Sequence, residues 1–385
     1  MIAVNKELLE NSVLVNESKN LKNSGFISKS QLESIEAQLP VLKSQKNILV
    51  RIGFFLLGVF LFSSILGTIS LVSLSALDGN YQIILFVYAA IGFVGCELLA
   101  KQNFHSYGLD DAFVLSAQTC LLGAFGVATE SPMVIFIVMA IVGAFCCLRY
   151  VHSLSALISC IGIVGSFGDL IIEHHVASTA ILPFLMLFLA VILYLVYVKL
   201  IHFSELYYRN SLYVVQAFAL ILGYLSMNYL VVRQLSEELL DVVIAPGSDI
   251  PFAFLFYVLT FLIPLFYIGY SLFKKDKLML LIGFVALGFS FYTIRYYYAL
   301  LPIEMALILG GTVLFALSYF TIRTLKNKPE GITFVPDRNE NNAVLSNLEA
   351  VIVNSQVSLK SVAPANQNMP FGGGDFSGGG SGGSY

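Results

Sequence analysis

Long apolar runs alternate with short polar segments along most of this chain. Ten such runs follow residue 47, each near the roughly 20 residues that a helix needs to cross a bilayer. We place them at residues 52–74, 81–100, 112–128, 132–148, 151–172, 179–201, 212–232, 252–273, 278–300 and 302–322. The pattern predicts an all-α fold, a polytopic transmembrane bundle of about ten helices over residues 48–323.

The two ends of the chain are polar. Residues 1–47 are helix-prone and interrupted at Gly25, and Ser28 with Gln31 has the spacing of a capping box. We predict a short cytoplasmic N-terminal helical hairpin there. Residues 324–385 close in a Gly/Ser-rich stretch, which predicts a disordered cytoplasmic tail. Two interpretations of each end stay open: a plain lead-in or tether, or a docking module.

Composition supports a membrane protein. Hydrophobic residues make up 57% of the chain, charged residues only 12%, and the mean hydropathy is +0.82. A soluble domain carries about 25% charged residues, so this chain has too little polar surface to stay in water. The net charge of −3 comes with no basic run, so we expect a lipid bilayer and no nucleic acid as partner.

Lysine and arginine predict the orientation. With the N-terminus inside, the inner flanks collect thirteen of these residues, while Arg233 and Arg295 are on the outer flanks. The inner residues are Lys43, Lys46, Arg51, Lys101, Arg149, Lys199, Arg209, Lys274, Lys275, Lys277, Arg323, Lys326 and Lys328. Because cytoplasmic loops carry the positive excess, we expect both termini in the cytoplasm.

The fifth apolar run carries the most suggestive polar pattern. Seven small or polar residues recur there at steps of three and four, which places them on one helix face. They are His152, Ser155, Ser159, Gly162, Ser166, Asp169 and Glu173. Two interpretations remain open: a seam for close helix packing, or a path for a polar solute or ion.

A second group of candidates lies at the outer side. Arg295 ends the ninth run and Glu304 opens the tenth. We predict that Arg295 either reaches water alone or pairs with Glu304, Asp169 or Glu173 in one polar cluster. The adjacent Glu173-His174-His175 lacks the spacing of a zinc-protease motif, so we interpret it as loop.

The rest of the sequence offers no catalytic, metal or cofactor motif. The five cysteines fall inside apolar runs, and we interpret them as small packing residues. Several acidic and histidine residues near the inner interface are interpreted as loop and flank residues. They are Glu97, His105, Asp110, Asp111, His202 and Glu205. We therefore expect no enzyme, no cofactor and no bound metal.

The last two runs carry a resemblance. They contain Gly283, Gly288, Phe291, Tyr292, Arg295, Tyr296, Tyr297 and Tyr298, followed by Gly310 and Gly311. This pattern, with Gly25-Phe26-Ile27-Ser28 and Gln31-Leu32 near the start, resembles a bacterial family of predicted multi-pass inner-membrane proteins of unknown function. Pro302-Ile303-Glu304-Met305 departs from the family's Leu-Leu-x-Lys-Ser run. The resemblance implies a location in the bacterial inner (plasma) membrane, and it does not imply any particular activity.

Two functional hypotheses follow from the sequence. The first is a transporter or permease-like protein for a small polar solute or ion, which uses the polar face of the fifth run. The second is a non-enzymatic membrane scaffold or sensor that recruits protein partners through its N-terminal hairpin and its Gly-rich tail. Water access to the fifth run would favour the first hypothesis, and a partner captured through either end would favour the second.

Overall fold

The computed structural model describes residues 2–23, 27–73, 81–174, 176, 178–238, 249–297 and 303–326. Within those ranges the regular structure is helical apart from a single parallel bridge between Lys43 and Phe104. Two N-terminal helices precede eleven others. Their bounds are α1 Lys6–Asn23, α2 Lys29–Gln38, α3 Ile48–Ser73, α4 Tyr81–Lys101, α5 Leu109–Thr129, α6 Pro132–Tyr150, α7 Ser153–Ile172, α8 Leu182–Phe203, α9 Arg209–Met227, α10 Tyr229–Glu238, α11 Ala253–Lys274, α12 Lys277–Tyr297 and α13 Ile303–Leu325.

Nine of the described helices are long and apolar enough to cross a bilayer. They correspond to α3–α9, α11 and α12, and their outward side chains are large and apolar. Phe254 is 81% exposed and Phe203 is 80% exposed, which suits contact with lipid rather than water. In α13 the continuous apolar stretch, Ile308–Thr324, is shorter. The chain is therefore compatible with a multi-pass membrane protein, and a total of ten spans stays a prediction.

The first half of the bundle is built around α5. This helix packs against α3, α4 and α6, and α6 in turn packs closely against α7. Buried aromatic and sulfur-containing side chains fill the space between them. Phe62, Phe113, Cys96, Cys146 and Tyr150 form one cluster there, with Phe62 and Phe113 in edge-to-face contact at 5.6 Å. The described cysteines are all free thiols.

The second half is built around α9. This helix packs against α8, α11 and α12, and it also contacts α7, so it joins the two halves. Sequence periodicity predicts one apolar run over residues 212–232, but the helix ends at Met227. Asn228 adopts an extended conformation, and α10 starts directly after it. Helix α10 is strongly amphipathic and ends at Glu238, and residues 239–248 lie outside the described ranges.

The N-terminal helices follow the predicted capping chemistry. The Ser28 hydroxyl accepts from the Gln31 backbone N–H at 3.2 Å, and the Gln31 side chain accepts from the Ser28 N–H at 2.7 Å. Lys19 of α1 pairs with Glu36 of α2 at 2.5 Å. Gly25, Tyr298, Pro302 and the predicted tail from residue 327 onward lie outside the described residues.

Candidate functional site

One end of the first half-bundle contains a small charged pocket. At this end α3, α5 and α7 begin, and α4 and α6 finish; we call it the pocket end. The cavity encloses about 60 Å³, and its lining includes Arg51, His105, Asp110, Asp111 and His152. A buried water needs roughly 10–15 Å³ of such space, so the pocket can take a few waters or one small ion.

Asp111 is the centre of the polar contacts in the pocket. Its side chain is 9% exposed, and its Oδ2 accepts from Arg51 Nε at 2.9 Å and from Arg51 Nη2 at 2.6 Å. Its Oδ1 lies 3.4 Å from Nε2 of His152. Asp111 lies in the first turn of α5, at the flank that the sequence indicated, and two further helix ends converge on it there. Both neighbours are able to donate, so the buried carboxylate is partnered on each oxygen.

His152 caps α7 rather than lying on its face. The Ser155 backbone N–H donates to Nδ1 of His152 at 3.2 Å, and the Ser155 hydroxyl lies 2.7 Å from the same nitrogen. Because Nδ1 accepts from a backbone N–H, it carries no proton, and the ring proton is on Nε2 towards Asp111. The cap thus fixes one tautomer of His152 and orients its ring between α5 and α7.

The chain of polar contacts continues into the bundle through Ser155 and Gln118. Gln118 Nε2 donates to the Ser155 hydroxyl at 2.7 Å and to Val114 O at 3.2 Å. The Ser155 hydroxyl therefore donates to His152. Although an Asp, a His and a Ser are in line, Ser155 is fully buried, so it cannot reach a substrate as a nucleophile. The arrangement connects the pocket to the core and is not a hydrolase triad.

Gln118 leaves one acceptor unused. The side chain is 1% exposed, and its Oε1 has no hydrogen-bond partner among the described groups. An unpartnered buried amide oxygen costs about 1–3 kcal/mol, unless a water or an ion satisfies it. The inner end of the polar chain thus has the capacity to accept one more hydrogen bond or to coordinate a cation. The sequence signal for Gln118 is a polar residue seven positions after Asp111, inside an apolar run.

The loop between α4 and α5 forms the rim of the pocket. Asp110 accepts from the backbone N–H groups of Ser106, Tyr107 and Gly108 at 2.6, 2.9 and 3.0 Å. Gly108 adopts φ +106°, and a β-carbon there would lie 2.3 Å from Arg51 O, so a side chain is excluded. Burial lowers the pKa of His105, because the charged imidazolium loses water there. Asp110 is thus a structural anchor of the rim.

The N-terminal segment forms part of the pocket wall on the outside of the bundle. Val4 is 6% exposed and forms part of the pocket wall, beside Val151. The Ala3 N–H donates at 2.8 Å to the carbonyl of Arg149, in the last turn of α6. This bond satisfies one of the carbonyls that a helix C-terminus leaves without an intrahelical partner. The segment before α1 is therefore attached to the bundle beside the charged groups.

The segment after α2 is attached to the same rim. Lys43 N–H donates to Asn103 O at 2.9 Å, and His105 N–H donates to Lys43 O at 3.1 Å. The Lys43 ammonium also lies 4.8 Å from the centre of the Phe104 ring. Both ends of the N-terminal unit therefore contact the pocket end, one through α6 and the other through the loop that carries His105.

The middle of the predicted polar face is a packing seam. The Ser159 hydroxyl donates to Ala140 O at 2.8 Å, across the α6–α7 interface. A β-carbon at Gly162 would lie 2.4 Å from the backbone nitrogen of Ala140. The Ser166 hydroxyl donates within α7, to Gly162 O at 2.6 Å. With backbones this close, the geometry at Ser159 and Gly162 favours the packing interpretation over a solute path.

The far end of α7 holds the remaining carboxylates. Asp169 is 9% exposed, its Oδ2 accepts no hydrogen bond among the described groups, and His174 Nδ1 lies 3.7 Å away. Glu173 and Glu304 are exposed. Helix α12, which carries Arg295, packs against α9, α10, α11 and α13. The structure brings Asp169 and His174 together and leaves the Arg295 pairing as a prediction.

A buried network in the second half was missed by sequence analysis. Asn228 Nδ2 donates to the Tyr224 hydroxyl at 2.9 Å and to the Thr293 hydroxyl at 3.0 Å. The Tyr224 hydroxyl lies 2.9 Å from that of Ser290, which donates to Thr260 O at 2.6 Å. Single polar residues of α9, α11 and α12 meet here, and their spacing within each helix does not predict the network. The network ties three helices together at the break in α9.

Comparison with known proteins adds no assignment. No family model, no curated protein and no solved structure matches this chain. The resemblance to a bacterial inner-membrane family therefore stays a prediction. Among the described residues, no group of three His, Cys, Asp or Glu side chains has the arrangement to hold a metal ion.

Proposed function

We propose that this chain is a permease-like membrane protein that binds a small polar solute or ion in the pocket of Arg51, Asp111 and His152. The observation that carries the proposal is a cavity of about 60 Å³ lined by charged groups at one end of apolar helices. Ionisable residues inside a membrane bundle are costly, so they are functional candidates by default. The pocket connects through His152 and Ser155 to the unsatisfied Oε1 of Gln118, which extends the polar surface inward.

The proposed route differs from the path along the fifth run, which the sequence left open beside a packing seam. The pocket uses His152 and Ser155 from the predicted face, and it adds Arg51, Asp111 and Gln118. The seam at Ser159 and Gly162 is closed by backbone contact, so movement of a solute requires α6 and α7 to separate or a route beside α5. A carrier that alternates between two arrangements fits such a closed state better than an open channel.

Ion transport can be tested on the reconstituted full chain. Solid-supported-membrane electrophysiology would follow jumps of pH, sodium, potassium, chloride and phosphate. We expect a transient current for at least one of them and its loss in Asp111→Asn. Glu97→Gln is the matched control, because Glu97 also bonds an arginine, Arg149, at this end but does not line the pocket. Absence of current for every ion would overturn the ion form of the proposal.

A sensor is the second candidate, favoured by one specific observation. The segment after α2 pairs with the loop that carries His105, so a ligand in the pocket and the position of residues 2–47 are mechanically linked. Hydrogen exchange of residues 2–47 tests this: a sensor predicts faster exchange in Asp111→Asn than in the native chain. Unchanged exchange in that variant would count against the sensor.

A further inference from the structure

A groove on the lipid-facing side of the pocket end has the composition of a phospholipid site. It runs between α4 and α6 and has a volume of about 540 Å³. Its apolar walls include Val94 and Leu98 of α4 and Phe145 of α6, which are 59%, 55% and 52% exposed. Lys101, Arg149 and Glu97 lie at one end of it. The groove is therefore apolar along its length and charged at its end.

The dimensions of the groove match one bilayer leaflet. From Phe93 to Lys101 the helix α4 rises about 12 Å. Half of a hydrocarbon core is roughly 15 Å thick. Because Lys101 ends α4 and Tyr150 ends α6, the charged end of the groove coincides with the ends of two membrane-spanning helices. That is the level at which phospholipid headgroups lie.

The charges at that end leave one cation in excess. Glu97 accepts from Arg149 Nε at 2.6 Å and from the Tyr150 hydroxyl at 2.9 Å, so its carboxylate is neutralised within the protein. Lys101 makes no hydrogen bond or ion pair with the residues that the structure describes. Its ammonium is exposed beside the groove. A negatively charged headgroup complements this end, whereas a zwitterionic one offers no net charge to it.

We infer that the groove between α4 and α6 binds an anionic phospholipid of the surrounding bilayer. One acyl chain lies between Val94, Leu98 and Phe145, and the phosphate lies at Lys101. The inference does not rest on transport, because the groove is separate from the Arg51–Asp111 pocket. Their linings share Tyr150, whose hydroxyl points to Glu97.

The absence of tryptophan from the sequence allows a direct test. Phe145→Trp places a single fluorescent reporter in the groove wall of the full chain, which is reconstituted in phosphatidylcholine vesicles. Quenching is then compared between dibrominated phosphatidylglycerol and dibrominated phosphatidylcholine at equal mole fraction. We expect phosphatidylglycerol to bind about fivefold more strongly than phosphatidylcholine, which is the size expected for one lysine near an anionic surface.

Two controls decide the outcome. Lys101→Gln in the Phe145→Trp background should reduce the preference to near one, and higher salt should weaken it. Phe188→Trp, on α8 and 65% exposed, reports on lipid away from the groove and should show no preference. Equal quenching by both lipids at Phe145→Trp, survival of the preference in Lys101→Gln, or the same preference at Phe188→Trp would each overturn the inference. Leu98→Trp on the facing wall replaces the reporter if Phe145→Trp fails to fold.

Discussion

Arg51 and Asp111 join the first turn of α3 to the first turn of α5 through two hydrogen bonds to one carboxylate oxygen, at 2.6 and 2.9 Å. The second oxygen of Asp111 is left for His152. The pair is asymmetric in burial, with the Arg51 side chain 40% exposed and that of Asp111 only 9% exposed. If Asp111 is removed, water can therefore solvate the exposed Arg51 guanidinium. If Arg51 is removed, the buried Asp111 carboxylate loses the cation that neutralises it.

Replacing Arg51 should destabilise the bundle. Arg51→Met keeps most of the side-chain volume but leaves the buried Asp111 carboxylate with Nε2 of His152, at 3.4 Å, as its remaining side-chain neighbour. We expect a loss of about 2 kcal/mol in the free energy of unfolding, between the values for exposed and fully buried pairs. Denaturant unfolding in detergent micelles would measure the change.

The matched control for this prediction is Lys29→Met, which removes an exposed i,i+4 pair with Glu33. Exposed pairs contribute little, so the unfolding curve should be nearly unchanged. The double variant Arg51→Met with Asp111→Asn should be less destabilised than the sum of the two single variants. Full additivity would contradict the pairing as the source of the effect.

The seam between α6 and α7 should be intolerant of a single methyl group. A β-carbon at Gly162 would meet backbone atoms, with Ala140 N at 2.4 Å and Phe136 O at 2.7 Å, so neither helix can yield by a side-chain rotation. Gly162→Ala should therefore cost about 2–3 kcal/mol through overpacking. Thermal unfolding of the purified chain would report it.

Gly168→Ala is the control, on the same helix and with the same chemistry. The nearest atom to its β-carbon is Met186 Cε, at 3.9 Å, which is an ordinary contact. Replacing glycine by alanine in a helix should then be neutral or stabilise by up to about 1 kcal/mol. Equal behaviour of the two alanine variants would mean that the α6–α7 seam is looser than described.

The sequence predicted the helices well, because apolar length is a local property. The apolar runs coincide with α3–α9, α11 and α12 to within a few residues at most ends. The break at Asn228 was missed, since Met227 and Tyr229 are as apolar as their surroundings. At the break, Asn228 bonds Tyr224 and the Val231 N–H nearby in the chain, and it also bonds Thr293 of α12, a contact that local sequence does not reveal.

The candidate site was predicted only in part, for a related reason. Spacing places residues on one face of one helix, but it does not predict which neighbouring helix packs against each part of that face. Spacing singled out His152 and Ser155, yet their partners Asp111 and Gln118 come from α5, about 40 residues earlier. Ser159 and Gly162 share the face with Ser155 and pack against α6 instead. Periodicity alone does not separate these two environments.

The Asn228 network should contribute strongly to the stability of the second half. Asn228 is fully buried and bonds Tyr224, Thr293 and the Val231 N–H. Asn228→Ala leaves several of those groups unpaired, and hydrogen bonds between membrane helices are worth about 0.6–1.7 kcal/mol each. We expect a loss of about 2 kcal/mol in the free energy of unfolding. Ser64→Ala, whose exposed hydroxyl bonds only within α3, should change little.

The rim of the pocket should weaken in mild acid because of His105. Burial holds the pKa of His105 below its ordinary value of 6.5, against the opposing effect of Asp110 and Asp111. Between pH 6.5 and the lower folded-state pKa, His105 is protonated in the unfolded chain but not in the folded chain. The free energy of unfolding therefore falls as the pH drops through this range. Between about pH 7.5 and 5, the unfolding midpoint of the native chain should fall further than that of His105→Gln, which lacks the titrating group. Parallel curves would contradict the assignment.

Thiol accessibility should divide the predicted polar face in two. Ser153→Cys lies at the pocket and should react with a small water-soluble thiol reagent, because the charged cavity has room for water. Ser159→Cys lies in the seam, 8% exposed and bonded to Ala140 O, and should be protected. Mass mapping of peptides reads each position without removing the native cysteines.

Rapid reaction at Ser159→Cys would show a hydrated path through the seam and would support the solute path along α7 that the sequence left open. Protection at both positions would instead mean that the N-terminal segment seals the pocket, which truncation of residues 2–4 should then reverse at Ser153→Cys alone.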